Sequence, residues 1–189
     1  TGQMFACTKA KISPDIMCLS KAITGGYMPM SLVCTTKDIY DAFLGSYDSA
    51  KAFMHSHTYA GNPLACACAL TVLKILKRDE ILTKAKAQAL YLSSRFNETF
   101  SDIKEVGEIR HIGLIHALEL VKDRDSKEGF DSKMRLGYRI YREALNQGLL
   151  LRPIGNVLYF NPPLNIARED LDLGLNIAHK AIKKILSEI

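Results

Sequence analysis

The fold is decided by the stretch D-I-M-C-L-S-K-A-I-T-G-G, which occupies residues Asp15–Gly26. Its first half is a short apolar run behind a Pro-Asp turn, which is typical of a strand buried on both faces of a parallel sheet. The strand brings Lys21 to its C-terminal end, and Thr24–Gly26 then give the backbone the freedom for a tight turn. We therefore predict a buried strand, a lysine and a turn, in that order.

Lys21 has two interpretations from its surroundings in the sequence. A buried strand that ends in a lone lysine is a costly place for an ammonium group without a neighbouring carboxylate. A desolvated amine is a nucleophile that can form a Schiff base with an aldehyde cofactor such as pyridoxal phosphate. The alternative is that Lys21 extends into solvent at the sheet edge, and spacing alone favours this alternative.

The sequence after this turn predicts further elements of both kinds. Ser31–Thr35 is expected to form a second strand and Lys37–Leu44 a short helix. Asn62 and Pro63 have the residue types of an N-cap and a first helical position, so a helix should begin there and run to about Lys77. Because its first turns are apolar all round, we expect this helix to begin buried and to end at the surface.

A charged K-R-D-E segment predicts a domain boundary near Asp79, which divides the chain into residues 1–79 and 80–189. The second part alternates short strands with helices, which is typical of a small α+β domain. Its predicted extended segments are Ile112–Val121, Leu149–Leu151 and Val157–Phe160, and a helix is expected over Ser132–Asn146. Two more helices are predicted by apolar spacing, one from Leu82, Ala85, Ala89, Leu92 and Phe96, the other from Leu171, Leu175, Ala178, Ile182 and Ile185.

The composition excludes several classes of protein. Of the 189 residues, 48% are hydrophobic and 24% are charged, which is typical of a globular domain and excludes low-complexity chains. No run approaches the roughly 18 to 20 apolar residues that cross a membrane. The net charge of +5 is scattered along the chain, so we expect no nucleic acid and no membrane as partners. Five cysteines without paired spacing predict neither disulfides nor zinc, and they favour a cytoplasmic location.

Four stretches together resemble a known family. They are Asp15–Gly26, H-S-H-T-Y-A-G-N-P-L-A-C-A at His55–Ala67, Gly107–Leu120, and L-R-P-I-G-N-V-L-Y-F-N-P-P-L at Leu151–Leu164. In this order they are similar to the C-terminal part of the class III, fold-type I pyridoxal-phosphate aminotransferases. The resemblance implies an α/β fold, in which residues 1–79 end a large cofactor-binding domain with a mostly parallel sheet and helices. Residues 80–189 would then be the small C-terminal α+β domain.

The resemblance also implies residues that hold the cofactor. Lys21 matches the lysine that binds pyridoxal phosphate and moves a proton between the amino donor and the cofactor. Thr58 matches a threonine that contacts the cofactor phosphate of the neighbouring subunit, which implies a homodimer with shared active sites. A hydroxyl and a backbone N–H just before a helix suit phosphate. The alternative for Thr58 is that its side chain only shapes the turn before that helix.

Three residues are implied at the substrate site. Arg152 matches an arginine that holds a substrate carboxylate, and the alternative is a surface arginine that ends a strand. Tyr159 matches a tyrosine that lines the site, although it could equally be a core residue. Ser56 lies beside Thr58 and could contact the substrate through its backbone. His55 and His57 have no further ligands at suitable spacing, so no metal site is expected.

Two features favour one branch of the family. The R-P-x-G-x-x-x-Y pattern ending at Tyr159 and the Y-M-P-M-S-L block at Tyr27–Leu32 resemble the branch that acts in biotin biosynthesis. There S-adenosylmethionine donates the amino group, and 7-keto-8-aminopelargonate accepts it to give 7,8-diaminononanoate. The other stretches fit equally well an ω-amino-acid aminotransferase acting on ornithine, acetylornithine or GABA.

The family's aspartate for the cofactor ring nitrogen and its stacking aromatic residue belong to a segment upstream of Thr1. Because neither residue is part of the chain, we expect the 189 residues alone to lack aminotransferase activity. The sequence begins without an initiator methionine and without the features of a signal peptide. The alternative from another class is a non-catalytic domain in which Lys21 has no role.

Overall fold

The computed structural model describes residues 1–189 and divides them into two compact units. One unit is Phe5–Ile81, and the other consists of Leu82–Ile189 together with Thr1–Met4. The division follows Ile81, whereas the sequence predicts a boundary near Asp79. None of the helices is both long enough and apolar enough to cross a membrane.

The first unit contains two strands and three α-helices. Strand β1 pairs antiparallel with strand β2, in a register that runs from Ile16 opposite Thr35 to Ser20 opposite Ser31. In chain order the elements are α1 (Ala6–Ala10), β1 (Ile16–Ser20), a 3-10 turn (Lys21–Thr24), β2 (Ser31–Thr35), α2 (Lys37–Asp41), a second 3-10 turn (Tyr47–Ser49) and α3 (Pro63–Arg78).

The prediction that β1 is buried in a parallel sheet is wrong for this chain. The strand lies where the sequence places it, but its residues alternate between exposed and half-buried. The connection Lys21–Met30 is shorter than the dozen or so residues that a parallel crossover needs, so the chain returns antiparallel. The apolar run located the strand correctly, and the length of the connection determines that it pairs antiparallel with the next strand.

Helix α3 begins as the sequence predicts and is buried less than expected. The Asn62 side chain accepts hydrogen bonds from the backbone N–H groups of Leu64 at 2.9 Å and Ala65 at 3.4 Å, and Pro63 is the first helical residue. Only Ala65 and Ala69 are buried, while the Leu64 side chain is 70% exposed. The predicted buried start is therefore wrong within this chain, because few side chains of the unit cover the first turns of α3.

The second unit contains the main hydrophobic core. Strand β4 pairs antiparallel with β3, β5 and β6, and the buried faces of three helices pack with this sheet. In chain order the elements are α4 (Ile81–Phe100), β3 (Val106–Ile112), β4 (Ile115–Asp123), β5 (Glu128–Gly129), a 3-10 turn (Ser132–Met134), α5 (Leu136–Asn146), β6 (Val157–Phe160) and α6 (Arg168–Leu186). The mixed α/β class that the sequence predicts is confirmed.

The helices of this unit follow the predicted apolar spacing closely. The five apolar residues predicted for one face of α6 are all buried, as are Leu92 and Phe96 of α4. The helix predicted from Ser132 begins instead at Leu136, because Arg135 takes a left-handed conformation (φ 49°) after the 3-10 turn. The predicted extended segment Leu149–Leu151 forms no strand.

A histidine lies in this core on the helix-facing side of β4. His116 is 1% exposed, and neither of its ring nitrogens has a hydrogen-bond partner. Its ring lies 5.2 Å from the ring of Phe96, centroid to centroid. Burial penalises the imidazolium form and lowers the pKa of His116 to about 4. His116 is therefore a neutral core residue at physiological pH.

Candidate functional site

Lys21 follows directly after β1 and begins the 3-10 turn Lys21–Thr24. Its φ of 55° is left-handed, a conformation that costs a non-glycine residue on the order of 1 to 3 kcal/mol and that clusters at functional sites. The side chain is exposed, and its amine has no hydrogen bond or ion pair in the chain. The buried surroundings expected from the sequence are thus not formed by these 189 residues, and the amine has no partner within the chain.

Side-chain hydrogen bonds, above all that of the buried Thr24, stabilise the turn that carries Lys21. Thr24 is 1% exposed, and its hydroxyl donates to the carbonyl oxygen of Met28 at 2.6 Å. The thiol of Cys68 on α3 donates to the carbonyl oxygen of Thr24 at 3.2 Å. The Ser20 hydroxyl donates to the carbonyl oxygen of Met30 at 3.0 Å and closes the loop from the strand side. These contacts hold the backbone of Lys21 in place.

Sequence reasoning missed the role of Thr24 and Cys68. The T-G-G segment indicated only backbone freedom, and Cys68 belonged to an apolar helical run. A threonine directly before two glycines is nevertheless a signal that a side chain can hold the turn that the glycines permit.

Thr58 lies in a turn just before α3, in a segment that is exposed from Lys51 to Gly61. The turn is held by His57, whose Nδ1 accepts from the N–H of Tyr59 at 3.1 Å and whose carbonyl oxygen accepts from the N–H of Ala60 at 2.9 Å. The hydroxyls of Ser56 and Thr58 make no hydrogen bond in the chain. The Thr58 side chain is therefore not what shapes this turn, and its hydroxyl is available to a ligand.

His55 and His57, the two histidines of this segment, already make contacts within the chain. The Nδ1 atom of His57 already accepts a hydrogen bond within the turn, and the His55 ring lies tilted against that of Phe53, with centroids 5.5 Å apart. No group of three or more His, Cys, Asp or Glu side chains in the chain is arranged to hold a metal ion.

Arg152 and Tyr159 line one cavity of the second unit, with a volume of about 390 Å³. Its walls are mostly apolar and include Leu92, Pro162 and Leu171. Arg152 has no ion pair in the chain, although the carboxylate of Asp170 also lines this cavity. Tyr159 is half-buried on β6, opposite Ala117 of β4. An unpaired guanidinium in a largely apolar cavity suits the carboxylate of a ligand with an apolar body.

Arg152 also borders a second cavity of about 520 Å³, which includes Arg135 and Tyr138. The Arg135 guanidinium lies 4.2 Å from the centroid of the Tyr138 ring. The segment Leu150–Arg152 separates this cavity from the smaller one. Arg152 is exposed and therefore lines both cavities.

The structure thus groups the predicted residues into two sets. Lys21, Ser56 and Thr58 belong to the unit Phe5–Ile81, where no hydrogen bond links the lysine to either hydroxyl. Arg152 and Tyr159 belong to the other unit and share a cavity.

The chain is similar to known proteins in family, sequence and structure. The family model "Aminotransferase class-III" matches residues 1–182. The adenosylmethionine-8-amino-7-oxononanoate aminotransferase of Geobacter sulfurreducens is 44% identical over 185 residues, which cover 98% of this chain and 41% of that protein. The chain therefore spans about two fifths of the length of such relatives.

Solved structures agree with the sequence comparison. The crystal structure of adenosylmethionine-8-amino-7-oxononanoate aminotransferase from Methanocaldococcus jannaschii superposes with a TM-score of 0.90 at 35% identity, covering 97% of this chain and 43% of that one. The PMP-bound form of an aminotransferase from Vibrio fluvialis superposes with a TM-score of 0.94 at 28% identity, covering 100% of this chain and 42% of that one.

Proposed function

The chain belongs to the class III aminotransferases, and from that premise we propose that the full-length protein is the pyridoxal-phosphate-dependent aminotransferase of biotin biosynthesis. It would transfer an amino group from S-adenosylmethionine to 7-keto-8-aminopelargonate and release 7,8-diaminononanoate. The name shared by many of its curated relatives supports this assignment. Within the chain the assignment rests on Lys21. Its amine has no partner, and its backbone has a left-handed conformation in a turn that Thr24 holds in place.

The residues present fit pyridoxal phosphate, the cofactor of class III aminotransferases. When bound, the cofactor supplies an aldehyde for an amine and a ring that withdraws electrons from the substrate carbon. Lys21 would hold the aldehyde end, because its amine has no competing partner. Thr58 would hold the phosphate end through its free hydroxyl and its own backbone N–H, in the site of the neighbouring subunit.

Lys21 would also act as the proton carrier of the reaction. Its amine would accept a proton from Cα of the amino donor and deliver the same proton to C4′ of the cofactor. No carboxylate of the chain forms an ion pair with this amine. The buried Thr24 hydroxyl keeps the lysine backbone fixed while the side chain moves.

Arg152 and Tyr159 would select the amino acceptor. The guanidinium offers paired N–H donors to the carboxylate of the acceptor, and the apolar walls of the 390 Å³ cavity suit its methylene chain. Tyr159 adds a phenol to that cavity, and Ser56 would contribute contacts from the segment beside Thr58. This combination favours a long keto acid over a short ω-amino acid.

Assembly and location follow from the same proposal. A threonine that serves the cofactor of its neighbour requires a homodimer with two shared active sites. The substrates are small molecules, and we place the enzyme in the cytoplasm without nucleic-acid or membrane partners.

The proposal is tested on the full-length protein with two lysines that share a backbone conformation. Lys11 (φ 56°) and Lys21 (φ 55°) are both exposed and left-handed in the same unit. Borohydride should trap the cofactor on Lys21 alone, and Lys21→Ala should remove both the Schiff-base absorbance and turnover, whereas Lys11→Ala should keep them. Trapping on another lysine would contradict the assignment. Amino transfer from ornithine to an oxo acid, without transfer from S-adenosylmethionine to 7-keto-8-aminopelargonate, would favour the ω-amino-acid alternative.

A further inference from the structure

The backbone that carries Arg152 continues into a closed turn. The N–H of Ile154 donates to the carbonyl oxygen of Val157 at 2.9 Å, and the N–H of Val157 donates back to Ile154 at 3.0 Å. Gly155, at the tip of this turn, has a φ of +57°. These bonds tie Ile154–Val157 together, and only Pro153 joins Arg152 to this turn. A displacement of the turn therefore displaces the backbone at Arg152.

This turn lies directly against the first turn of α5. Gly137, the second residue of that helix, is buried. A Cβ atom at Gly137 would lie 2.2 Å from the carbonyl oxygen of Gly155 and 2.9 Å from Cβ of Pro153. Both distances are shorter than real Cβ contacts, and a backbone oxygen cannot rotate away as a flexible side chain can. Any side chain at position 137 must therefore push the turn away from α5.

Helix formation does not explain the glycine. Gly137 lies inside a helix, where alanine is preferred over glycine by intrinsic propensity. A substitution by alanine would therefore be neutral or stabilising if only the helix mattered. The cost arises from the close approach to Gly155, and that approach sets the position of the turn that follows Arg152.

We propose that Gly137 is a positioning residue for Arg152, setting how the guanidinium meets the carboxylate of the amino acceptor. The inference rests on the proposed function, in which Arg152 binds that carboxylate. Bidentate recognition depends strongly on geometry, because both N–H donors of the guanidinium must meet the two carboxylate oxygens at once. Gly137 would act through Arg152 and would touch neither substrate nor cofactor.

The test uses the full-length holoenzyme and two acceptors, the keto acid and its primary amide. Gly137→Ala should raise KM for the acid about tenfold or more and leave KM for the amide nearly unchanged, because a lost charge-assisted contact affects only the acid. At saturating acid, kcat should stay close to that of the wild type. The preference for the acid over the amide therefore falls.

Gly129→Ala is the matched control, because a Cβ there meets only Nδ2 of Asn156 at 3.7 Å, an ordinary contact. It should keep the preference for the acid. Equal losses for acid and amide in Gly137→Ala, or the same loss in Gly129→Ala, would overturn the positioning role. If Gly137→Ala does not fold, Gly155→Ala repeats the test, since it strains the same turn without a clash; an unchanged preference there also overturns it.

Arg152→Ala separates this inference from the proposed function. If Arg152→Ala keeps the preference for the acid, the proposed substrate site is wrong and the positioning role fails with it. If Arg152→Ala loses the preference and Gly137→Ala keeps it, only the positioning role is rejected.

Discussion

The imidazole rings of His111 and His116 stack across the β3–β4 pair, with centroids 4.9 Å apart and planes within 8° of parallel. His111 is exposed, whereas His116 faces the core, with its ring 5.2 Å from that of Phe96 and its backbone opposite Phe160 of β6. Only one ring of the pair is therefore in contact with water, and the buried ring resists protonation.

This pair predicts acid sensitivity of the second unit. The pKa of His116 is about 4 in the folded chain, against 6.5 as the ordinary value, so the unfolded chain binds more protons between these values. The contribution of neutral His116 to the free energy of unfolding is fully present above about pH 6.5. It is lost as the pH drops toward 4, by about 1.4 kcal/mol per pH unit and about 3 kcal/mol in all. Urea unfolding measured between pH 4 and 7 should show this decline.

His116→Phe is the control for that decline, because phenylalanine takes up no proton and its neighbours are aromatic. A smaller acid dependence should remain, since burial also lowers the pKa of His179. An equally steep decline in His116→Phe and in the wild type would contradict the assignment.

The turn after β1 should depend on the Thr24 hydroxyl. Thr24→Val keeps the shape of the side chain but leaves the carbonyl oxygen of Met28 without its donor, which should cost about 1 to 3 kcal/mol. Thr71→Val removes a hydroxyl that donates at 2.8 Å to Ala67 on the exposed side of α3, and it should cost less. Hydrogen exchange of the Tyr27 amide, which donates to Thr24 at 3.2 Å, should accelerate only in Thr24→Val. Similar exchange in the two variants would argue against a special role for Thr24.

The sequence predicted the positions of helices and strands better than their burial and pairing, because positions depend on neighbouring residues and burial and pairing on distant ones. The Asn62-Pro63 pair located the start of α3 because an N-cap and its proline depend only on neighbouring residues. The burial of α3 was predicted wrongly because it depends on which elements cover the helix. The position of β1 followed from its apolar run, but its antiparallel partner depended on the length of the connecting loop.

In the candidate site, residues within motifs could be predicted from the sequence, and a residue that depends on a tertiary contact could not. Lys21 and Arg152 were predicted as site residues from motifs, since each lies in a recognisable stretch, and their roles remain proposals. Gly137 was not found, because a glycine in a helical pattern signals nothing until the turn at Gly155 lies against it.

The start of α6 offers a stabilising substitution. The sequence shows Ala167 where a capping serine would be natural, and in the structure Ala167 occupies the N-cap with φ −74° and ψ 155°, without a side-chain hydrogen bond. Ala167→Ser should raise the free energy of unfolding by about 1 kcal/mol, because the hydroxyl can accept a free N–H of the first turn. Ala87→Ser, at an exposed interior position of α4, should instead be slightly destabilising. Equal effects of the two substitutions in chemical denaturation would show that the cap is not formed.

The last prediction concerns Thr58 and the proposed homodimer. Its hydroxyl is free because His57 holds the turn, so Thr58→Ala should leave stability nearly unchanged and weaken cofactor binding in the neighbouring subunit. Mixing full-length Lys21→Ala and Thr58→Ala subunits then gives dimers in which one site has lost both residues and the other keeps both. The intact site should bind pyridoxal phosphate with near-normal affinity and give these mixed dimers about half of the wild-type activity. Titration with the cofactor and an activity assay on the mixture measure both quantities. If mixing restores nothing beyond the two parent homodimers, Thr58 acts within its own subunit, and the shared site is wrong.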